Sequence, residues 1–432
     1  FYETPQIDSL ARDGMKFSDA YAACPVCSPS RAAMMTGKYP ARLPLTEFLK
    51  GMRRGKLIPP EYLDELPLEE VTVAKALKEA GYTTGHVGKW HLGKKEEFWP
   101  EHHGFDVNIG GYAGGHPASY FSPYQNPRLP DGPPGEYLTD RLTDEAIRFL
   151  KGTKNRPFFL NLWHYAPHTP LQAKETLNAK FQAKKETLKV TGPEFIEDSG
   201  RQVRQVQSHA VYAAMVASID ESTGRILRTL EELGLDKNTI VIFTSDNGGL
   251  STSEGMPTSN VPLRTGKGWP YEGGVRVPLL IKWPGVVKPG SVTTTPVSGP
   301  DFYPTFLRAA NAPLRPQQHL DGVDITPLLK GGQISPRPLF WHYPHYGNQG
   351  GAPCSALRDG DWKLIEWFED NRVELYNLHE DIGEHQDLAR TNPEKANALK
   401  TKLHQWRTAI RANMPTPNPD PPAVQPSAKT NE

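Results

Sequence analysis

Continuous apolar runs and helically spaced apolar residues follow one another along the chain as far as about residue 330. Residues 157–165 and 239–245 are apolar almost throughout, which predicts buried strands. Apolar residues recur at helical spacing over 142–151 and 205–233, and each segment stops at a glycine, which predicts amphipathic helices. Shorter segments continue this alternation and are predicted as helices at 7–12 and 73–80 and as strands at 15–17, 81–88 and 277–283.

The pattern changes at residues 331–338, where glycine, serine and proline cluster. Beyond this point, short apolar segments predict an antiparallel sheet and a final amphipathic helix. These elements are expected at 339–343, 355–367, 372–378 and, for the helix, 393–411. We therefore predict a main domain at 1–335, a smaller α/β subdomain at 336–414 and a proline-rich disordered tail at 415–432.

Three stretches need a separate interpretation. Residues 98–137 are rich in glycine, proline, histidine and tyrosine without clear periodicity, so we expect a loop that shapes a substrate pocket. Residues 172–202 are charged and helical in composition, and we expect them at the periphery. Asp301 is predicted to cap a helix that begins at Phe302.

Composition excludes several function classes. Lys plus Arg and Asp plus Glu number 49 each, so the net charge of zero gives no support for nucleic acid binding. No apolar run is long enough to span a bilayer and no signal peptide is visible, although the chain begins with Phe1 rather than Met. The three cysteines, Cys24, Cys27 and Cys354, are too few for a disulfide framework.

Reactive side chains follow the predicted strands. Lys89 and His91 come directly after the strand at 81–88, and His168 follows the strand at 157–165. Asp246 and Asn247 follow the strand at 239–245 and offer the oxygen ligands that Ca²⁺ or Mg²⁺ prefers. Because ligands gather at the carboxyl ends of strands in open α/β sheets, we expect these residues to form a site.

The segment Cys24-Pro25-Val26-Cys27-Ser28-Pro29-Ser30-Arg31 contains the strongest chemical signal. Pro29 fixes φ, and Ser30 is predicted as the N-cap of a helix that begins at Arg31. The helix dipole and the Arg31 guanidinium would then favour negative charge at Cys27, as expected for a functional thiol. A redox pair of Cys24 and Cys27 and an ordinary buried cysteine are the alternatives.

This segment, with Thr36-Gly37 and Arg42 downstream, resembles the signature of the type I, formylglycine-dependent sulfatases. Further blocks resemble the same arylsulfatase-like family and occur in the family order: Gly81-Tyr82-x-Thr84, Gly88-Lys89-x-His91, Ser245-Asp246-Asn247-Gly248, Gly266-Lys267 and Glu272-Gly273-Gly274-x-Arg276-Val277-Pro278. The resemblance implies the alkaline-phosphatase-like α/β fold. This fold has a central mixed sheet flanked by helices and a smaller C-terminal subdomain of antiparallel sheet plus helix.

The resemblance also implies a role for each site residue. A formylglycine-generating enzyme would oxidise Cys27 to an aldehyde, whose hydrated form is the nucleophile. The other catalytic residues are Arg31, Lys89, His91, His168 and Lys267, with His168 as general acid and His91 as the base that releases sulfate. Lys89, His168 and Lys267 would bind the sulfate ester, and Asp246, Asn247 and the modified Cys27 would bind Ca²⁺ or, alternatively, Mg²⁺. Candidate sugar contacts are His116, Arg264, His342 and His345.

We therefore expect a periplasmic or secreted sulfatase that acts on aryl sulfates or sulfated carbohydrates, such as galactose or N-acetylgalactosamine sulfates. Sulfatases carry an Asp-Asp pair for calcium at the end of a first strand, and this pair is missing here, so we expect a fragment or half a metal site. Two alternatives remain. One is a phosphomonoester or phosphonate hydrolase of the same superfamily, and the other is a non-catalytic glycan-binding relative.

Overall fold

The structure is a computed structural model, and it describes residues 1–49 and 51–421. The helices are α1 (Pro5–Asp13), α2 (Cys27–Thr36), α3 (Val73–Glu79), α4 (Leu138–Thr153), α5 (Glu175–Glu186), α6 (Ala210–Glu232), α7 (Glu272–Val275), α8 (Phe302–Ala309), α9 (Thr326–Leu329) and α10 (Pro393–Ile410). The strands of the main domain are β1 (Met15–Phe17), β2 (Ala20–Tyr21), β3 (Leu57–Ile58), β4 (Thr83–Gly88), β5 (Val107–Ile109), β6 (Phe158–Trp163), β7 (Phe195–Asp198), β8 (Arg201–Arg204), β9 (Val241–Thr244), β10 (Leu279–Lys282), β11 (Ser291–Thr293) and β12 (Val297–Ser298). The remaining strands are β13 (Leu339–Tyr343), β14 (Cys354–Asp359), β15 (Trp362–Trp367), β16 (Val373–Asn377) and β17 (Thr416–Pro417).

Two sheets form the centre of the main domain. One has the strand order β5-β4-β6, and all its pairs are parallel. The other has the order β11-β1-β10-β9 and is mixed, because β10 runs antiparallel to both β1 and β9. Helix α2 belongs to the core, since all ten of its residues are buried.

A cavity of about 1340 Å³ separates the two central sheets. Its walls include the whole of β6 on one side and the whole of β9 on the other. Both are edge strands, and within residues 1–49 and 51–421 neither is paired on the side of the cavity. All four residues of β9 are therefore only half-buried, although their side chains are mostly apolar.

The C-terminal part contains an antiparallel sheet in the order β13-β14-β15-β16, as the sequence predicts. Helix α10 packs Leu399 and Leu403 against one face of this sheet, and Trp406 stacks on Phe340 with ring centroids 4.5 Å apart. The other face packs against Tyr21 and the region of α7. The chain then returns to the main domain, where β17 pairs with β3.

Local structure differs from the sequence interpretation at residues 172–202, at the start of the long helix and at Asp301. Residues 172–202 contain α5, but they also enter the β7–β8 hairpin, which extends to Arg204. The long helix begins at Ala210 rather than 205, because its N-cap is His209. Asp301 precedes α8 without capping it; its carboxylate accepts the N–H groups of Ser298 and Val323 instead.

The domain limits at 335 and 414 stay predictions. In the tail predicted to be disordered, Thr416–Pro417 form β17, and residues 422–432 lie outside the described residues. In the part of the chain that the structure covers, we find no helix that is long and apolar enough to cross a membrane.

Candidate active site

The N-terminus of α2 presents Cys27 at the centre of the site. The helix begins at Cys27 rather than Arg31, with Val26 as an extended N-cap, so the prediction that Ser30 caps the helix was wrong. Ser30 lies inside the first turns, where its hydroxyl donates to the carbonyl of Cys24 and accepts the Cys24 N–H. The first turn of α2 has no side-chain cap, so its free backbone N–H groups lie close to Cys27 and favour negative charge there.

Strand β4 delivers Lys89 and His91 to the same point. Gly88 has φ +102°, and a side chain there would overlap the carbonyl of Trp163 on the neighbouring β6. This close approach lets the Lys89 N–H donate to the Trp163 carbonyl at 2.7 Å. His91 has a left-handed φ of 61°, and its Nδ1 lies 3.3 Å from the Cys27 sulfur.

His168 and Lys267 form a second pair in the cluster. The Nε2 atom of His168 lies 3.0 Å from Nζ of Lys267. The Lys267 N–H donates to the carbonyl of Gly249, which fixes the lysine beside the loop that follows β9. The exposed His116 ring lies parallel to His168 at 6.0 Å, so His116 is at the rim of the site.

Asp246 and Asn247 follow β9, and Asp246 contacts Arg31. The Arg31 Nε donates to Asp246 Oδ2 at 2.7 Å, and its NH1 group donates to the Lys89 carbonyl at 2.8 Å. Oδ1 of Asn247 is buried without a hydrogen-bond partner, although its amide nitrogen donates to the Gly248 carbonyl. An unpaired amide oxygen beside a carboxylate fits a hard cation in donor type, but Ca²⁺ takes about six to eight oxygen ligands. Further ligands would have to complete the site.

Burial and neighbouring cations shift the pKa values of the side chains in the cluster. Burial alone would raise the pKa of the Cys27 thiol, but Lys89, His91 and Lys267 hold it well below its ordinary value. Burial lowers the pKa of Lys89 to about 8, against the opposing effect of Cys27. Burial, Lys267 and Lys89 together keep the pKa of His168 well below that of a free histidine.

The same cations act on Asp246. Burial would raise the pKa of its carboxyl group, but Arg31, Lys89 and Lys267 outweigh this effect and keep the pKa far below its usual range. Asp246 is therefore ionised at neutral pH and available as a cation ligand.

The structure does not bring the other proposed sugar contacts to the cluster. Arg264 donates two hydrogen bonds to Asp198 of the β7–β8 hairpin, and its NH1 group contacts Tyr376 and Glu384. His345 is buried with Nε2 at 2.7 Å from the Thr46 hydroxyl. His342 contacts Ser355 and the Asn413 carbonyl.

Sequence reasoning missed Trp163. The Arg31 guanidinium lies over its ring at 4.8 Å from the centroid, a cation–π contact that holds Arg31 in place. The available signal was an aromatic residue at the end of the predicted strand 157–165. It lies beside the Lys89 backbone, so it supports two site residues.

Comparisons with known proteins point to one family. A model of the sulfatase family matches residues 2–312, and a model of the C-terminal region of N-sulphoglucosamine sulphohydrolase matches residues 265–412. A sulfatase from Formosa agariphila is 34% identical over 96% of this chain and 85% of its own length. The N-acetylgalactosamine-6-sulfatase from Mus musculus is 32% identical over 90% of this chain and 72% of its own length.

Solved structures give the same result. The crystal structure of Ps i-CgsB in complex with k-i-k-neocarrahexaose matches with a TM-score of 0.76 and 32% identity, over 95% of this chain and 88% of that chain. This similarity confirms the predicted fold class, a mixed α/β domain with a C-terminal antiparallel sheet. Together with the matching family model, it shows that the chain belongs to the sulfatase family of sulfuric ester hydrolases.

Proposed function

We propose that this chain hydrolyses sulfate esters of carbohydrates, with a nucleophile formed from Cys27. The observation that carries the proposal is the cluster around Cys27, in which one buried side chain at a helix N-terminus is surrounded by Lys89, His91 and Lys267. Such a site stabilises an anionic nucleophile and an anionic substrate together.

The formylglycine that the family forms at this position would supply, when hydrated, a hydroxyl group that attacks sulfur. Lys89 and Lys267 would bind the charged oxygens of the sulfate group, and their buried positions make each charge effective. Arg31 would hold Asp246 in place through their 2.7 Å contact rather than contact the ester itself.

Two histidines would move the protons. Lys267 donates a hydrogen bond to neutral His168 in this geometry, so a proton can pass along this pair to the departing alkoxide. His91 contacts the Cys27 side chain on the other side and would accept a proton when sulfate leaves. The acid and the base are thus separate side chains that follow separate strands, β6 and β4.

Calcium, or alternatively magnesium, would be held by Asp246, Asn247 and the side chain derived from Cys27. When bound, the cation would supply positive charge that stabilises the nucleophile and the sulfate oxygens. The unpaired Oδ1 of Asn247 and the ionised Asp246 support this assignment.

The relatives suggest the substrate class. One relative is named for N-acetylgalactosamine 6-sulfate, and one structural neighbour was solved with a neocarrahexaose. We propose galactose or N-acetylgalactosamine sulfates as substrates, with His116 at the rim as the remaining sugar contact. We also propose a periplasmic or secreted location and maturation by a formylglycine-generating enzyme.

The test is sulfate release from an aryl sulfate and from a panel of sulfated galactose and N-acetylgalactosamine sugars. The full-length natural protein is produced with a formylglycine-generating enzyme and supplied with calcium. We expect release that is abolished in Cys27→Ala and retained in Cys354→Ala, a buried cysteine outside the cluster. Equal activity of the two variants would contradict the proposed nucleophile.

A matching aryl phosphate separates the alternatives. Faster release of phosphate than of sulfate would indicate a phosphate or phosphonate hydrolase. No release of either anion from protein that carries both the aldehyde and the metal, over the whole sugar panel, would indicate a glycan-binding protein.

A further inference from the structure

We propose that Lys363 is a positioning residue for catalysis. It lies in the C-terminal sheet and holds in place the segment that carries Lys267. This inference rests on the sulfate-binding role proposed for Lys267. Lys363 lies on β15 and is completely buried. It has no route to the substrate and acts only through other residues.

Lys363 lies between two buried carboxylates. Its Nζ forms ion pairs of 2.9 Å with Glu272 and of 2.9 Å with Glu384, and all three side chains have no exposed surface. Glu384 in turn accepts the backbone N–H of Glu272 at 2.6 Å. The lysine therefore holds the first residue of α7 by its side chain and, through Glu384, by its backbone.

The segment held in this way, residues 264–277, contacts two parts of the active site by backbone hydrogen bonds. Its Gly268 N–H donates to the carbonyl of Pro25, two residues before the nucleophile, and its Lys267 N–H donates to Gly249. Gly274 accepts the N–H of Gly248, which follows Asn247 directly. A displacement of α7 would thus move Lys267 and the loop of the cation ligands together.

The backbones of residues 264–277 and of the loop that follows β9 are in close contact. A side chain on Gly248 would overlap the carbonyl of Gly273, so the two loops touch without side chains between them. A buried ion pair contributes little net stability compared with apolar residues of the same size. The triad is therefore better explained by the geometry that it imposes on residues 264–277 than by the stability that it adds.

The test compares Lys363→Met with Leu364→Ala. Leu364 is the next residue on β15, is equally buried and packs on the opposite face against α10, so its substitution weakens the same sheet without touching α7. We expect Lys363→Met to lower kcat by about 10²-fold, the effect of a misplacement of about 1 Å, and to weaken inhibition by inorganic sulfate. Leu364→Ala is expected to leave both close to wild type at temperatures where both variants are folded.

Equal kcat and equal sulfate inhibition in the two variants, with an active wild type, would overturn the inference while leaving the proposed function intact. An inactive wild type would instead contradict the proposed function. Amide hydrogen exchange then tests the coupling without turnover: Lys363→Met should raise exchange at residues 267–274 more than Leu364→Ala does, and unchanged exchange would overturn the inference.

If Lys363→Met does not fold, the double variant Lys363→Met/Glu384→Gln replaces it. This variant removes one positive and one negative charge, and Glu272 keeps Arg276 and the Tyr21 hydroxyl as partners. We expect the same loss of kcat, because the ion pairs that join α7 and Glu384 to Lys363 of β15 are lost. Wild-type turnover by the double variant would overturn the inference.

Discussion

Substitution of His168 by alanine most directly tests the proposed role of this residue as general acid. Nε2 of His168 lies 3.0 Å from Nζ of Lys267, and burial with two nearby lysines keeps the pKa of His168 low. The histidine is therefore neutral at neutral pH and accepts a hydrogen bond from Lys267. His168→Ala removes the side chain that contacts this lysine and that is proposed to protonate the leaving group.

The size of the effect should depend on the leaving group. A sugar alkoxide is a strong base and needs a proton, so loss of the general acid should lower kcat/KM by about 10²- to 10⁴-fold. This range corresponds to about 3–5 kcal/mol of transition-state stabilisation. A nitrophenolate leaves without protonation. For 4-nitrophenyl sulfate, kcat/KM should therefore fall only about fivefold, which corresponds to the loss of one hydrogen bond of about 1 kcal/mol.

The assay measures kcat/KM for a sulfated sugar and for 4-nitrophenyl sulfate in wild type, His168→Ala and His164→Ala. His164 is the matched control, because it follows the same strand and contacts Ser222 at 2.9 Å, outside the cluster. We expect a large difference between the two substrates in His168→Ala and none in His164→Ala. Equal losses for both substrates in His168→Ala would refute the role of His168 as general acid.

Three further predictions concern charge. Lys89→Met should lower kcat by about 10²- to 10³-fold in steady-state assays, because a buried cation facing the sulfate is lost. Calcium at about 100 times its Kd should raise the free energy of unfolding by about 2.7 kcal/mol in thermal scans, and Asp246→Ala should abolish this increase. Burial of Glu366 raises its pKa, but Arg407 and His404 outweigh burial, so the net pKa of Glu366 is lowered. Glu366 therefore stabilises the fold above its unfolded pKa of about 4.3. This stabilisation is lost as the pH falls through the pKa of the folded state. The stability difference between wild type and Glu366→Gln should therefore shrink below about pH 4 in urea titrations.

Local sequence patterns predicted the parts of the site that depend on strand ends. Lys89, His168 and Asp246 follow strands that the apolar runs mark, and the structure brings these side chains together around α2. This succeeds because the position of a residue after a strand determines its edge of the sheet. Short apolar segments and helical spacing likewise located the C-terminal sheet and α10.

Partners distant in the sequence explain the differences. Ser30 has the residue type of an N-cap, but its hydroxyl is used by the backbone of Cys24 and the helix begins earlier. Arg264 and His345 are polar residues that suit a sugar. In the structure, however, Arg264 contacts Asp198, which lies 66 residues away along the chain. His345 contacts Thr46, which lies 299 residues away. No local pattern contains these contacts.

Among the described residues, the edges of β6 and β9 that face the cavity are open to further strand pairing. Each edge presents unpaired backbone donors and acceptors beside apolar side chains, such as Phe158 and Ile242. Such edges are templates on which strands of other molecules add, and natural proteins usually protect them. The described residues therefore contain two open edges that face one cavity, and a strand placed between them would pair with β6 and β9 at once and join the two central sheets.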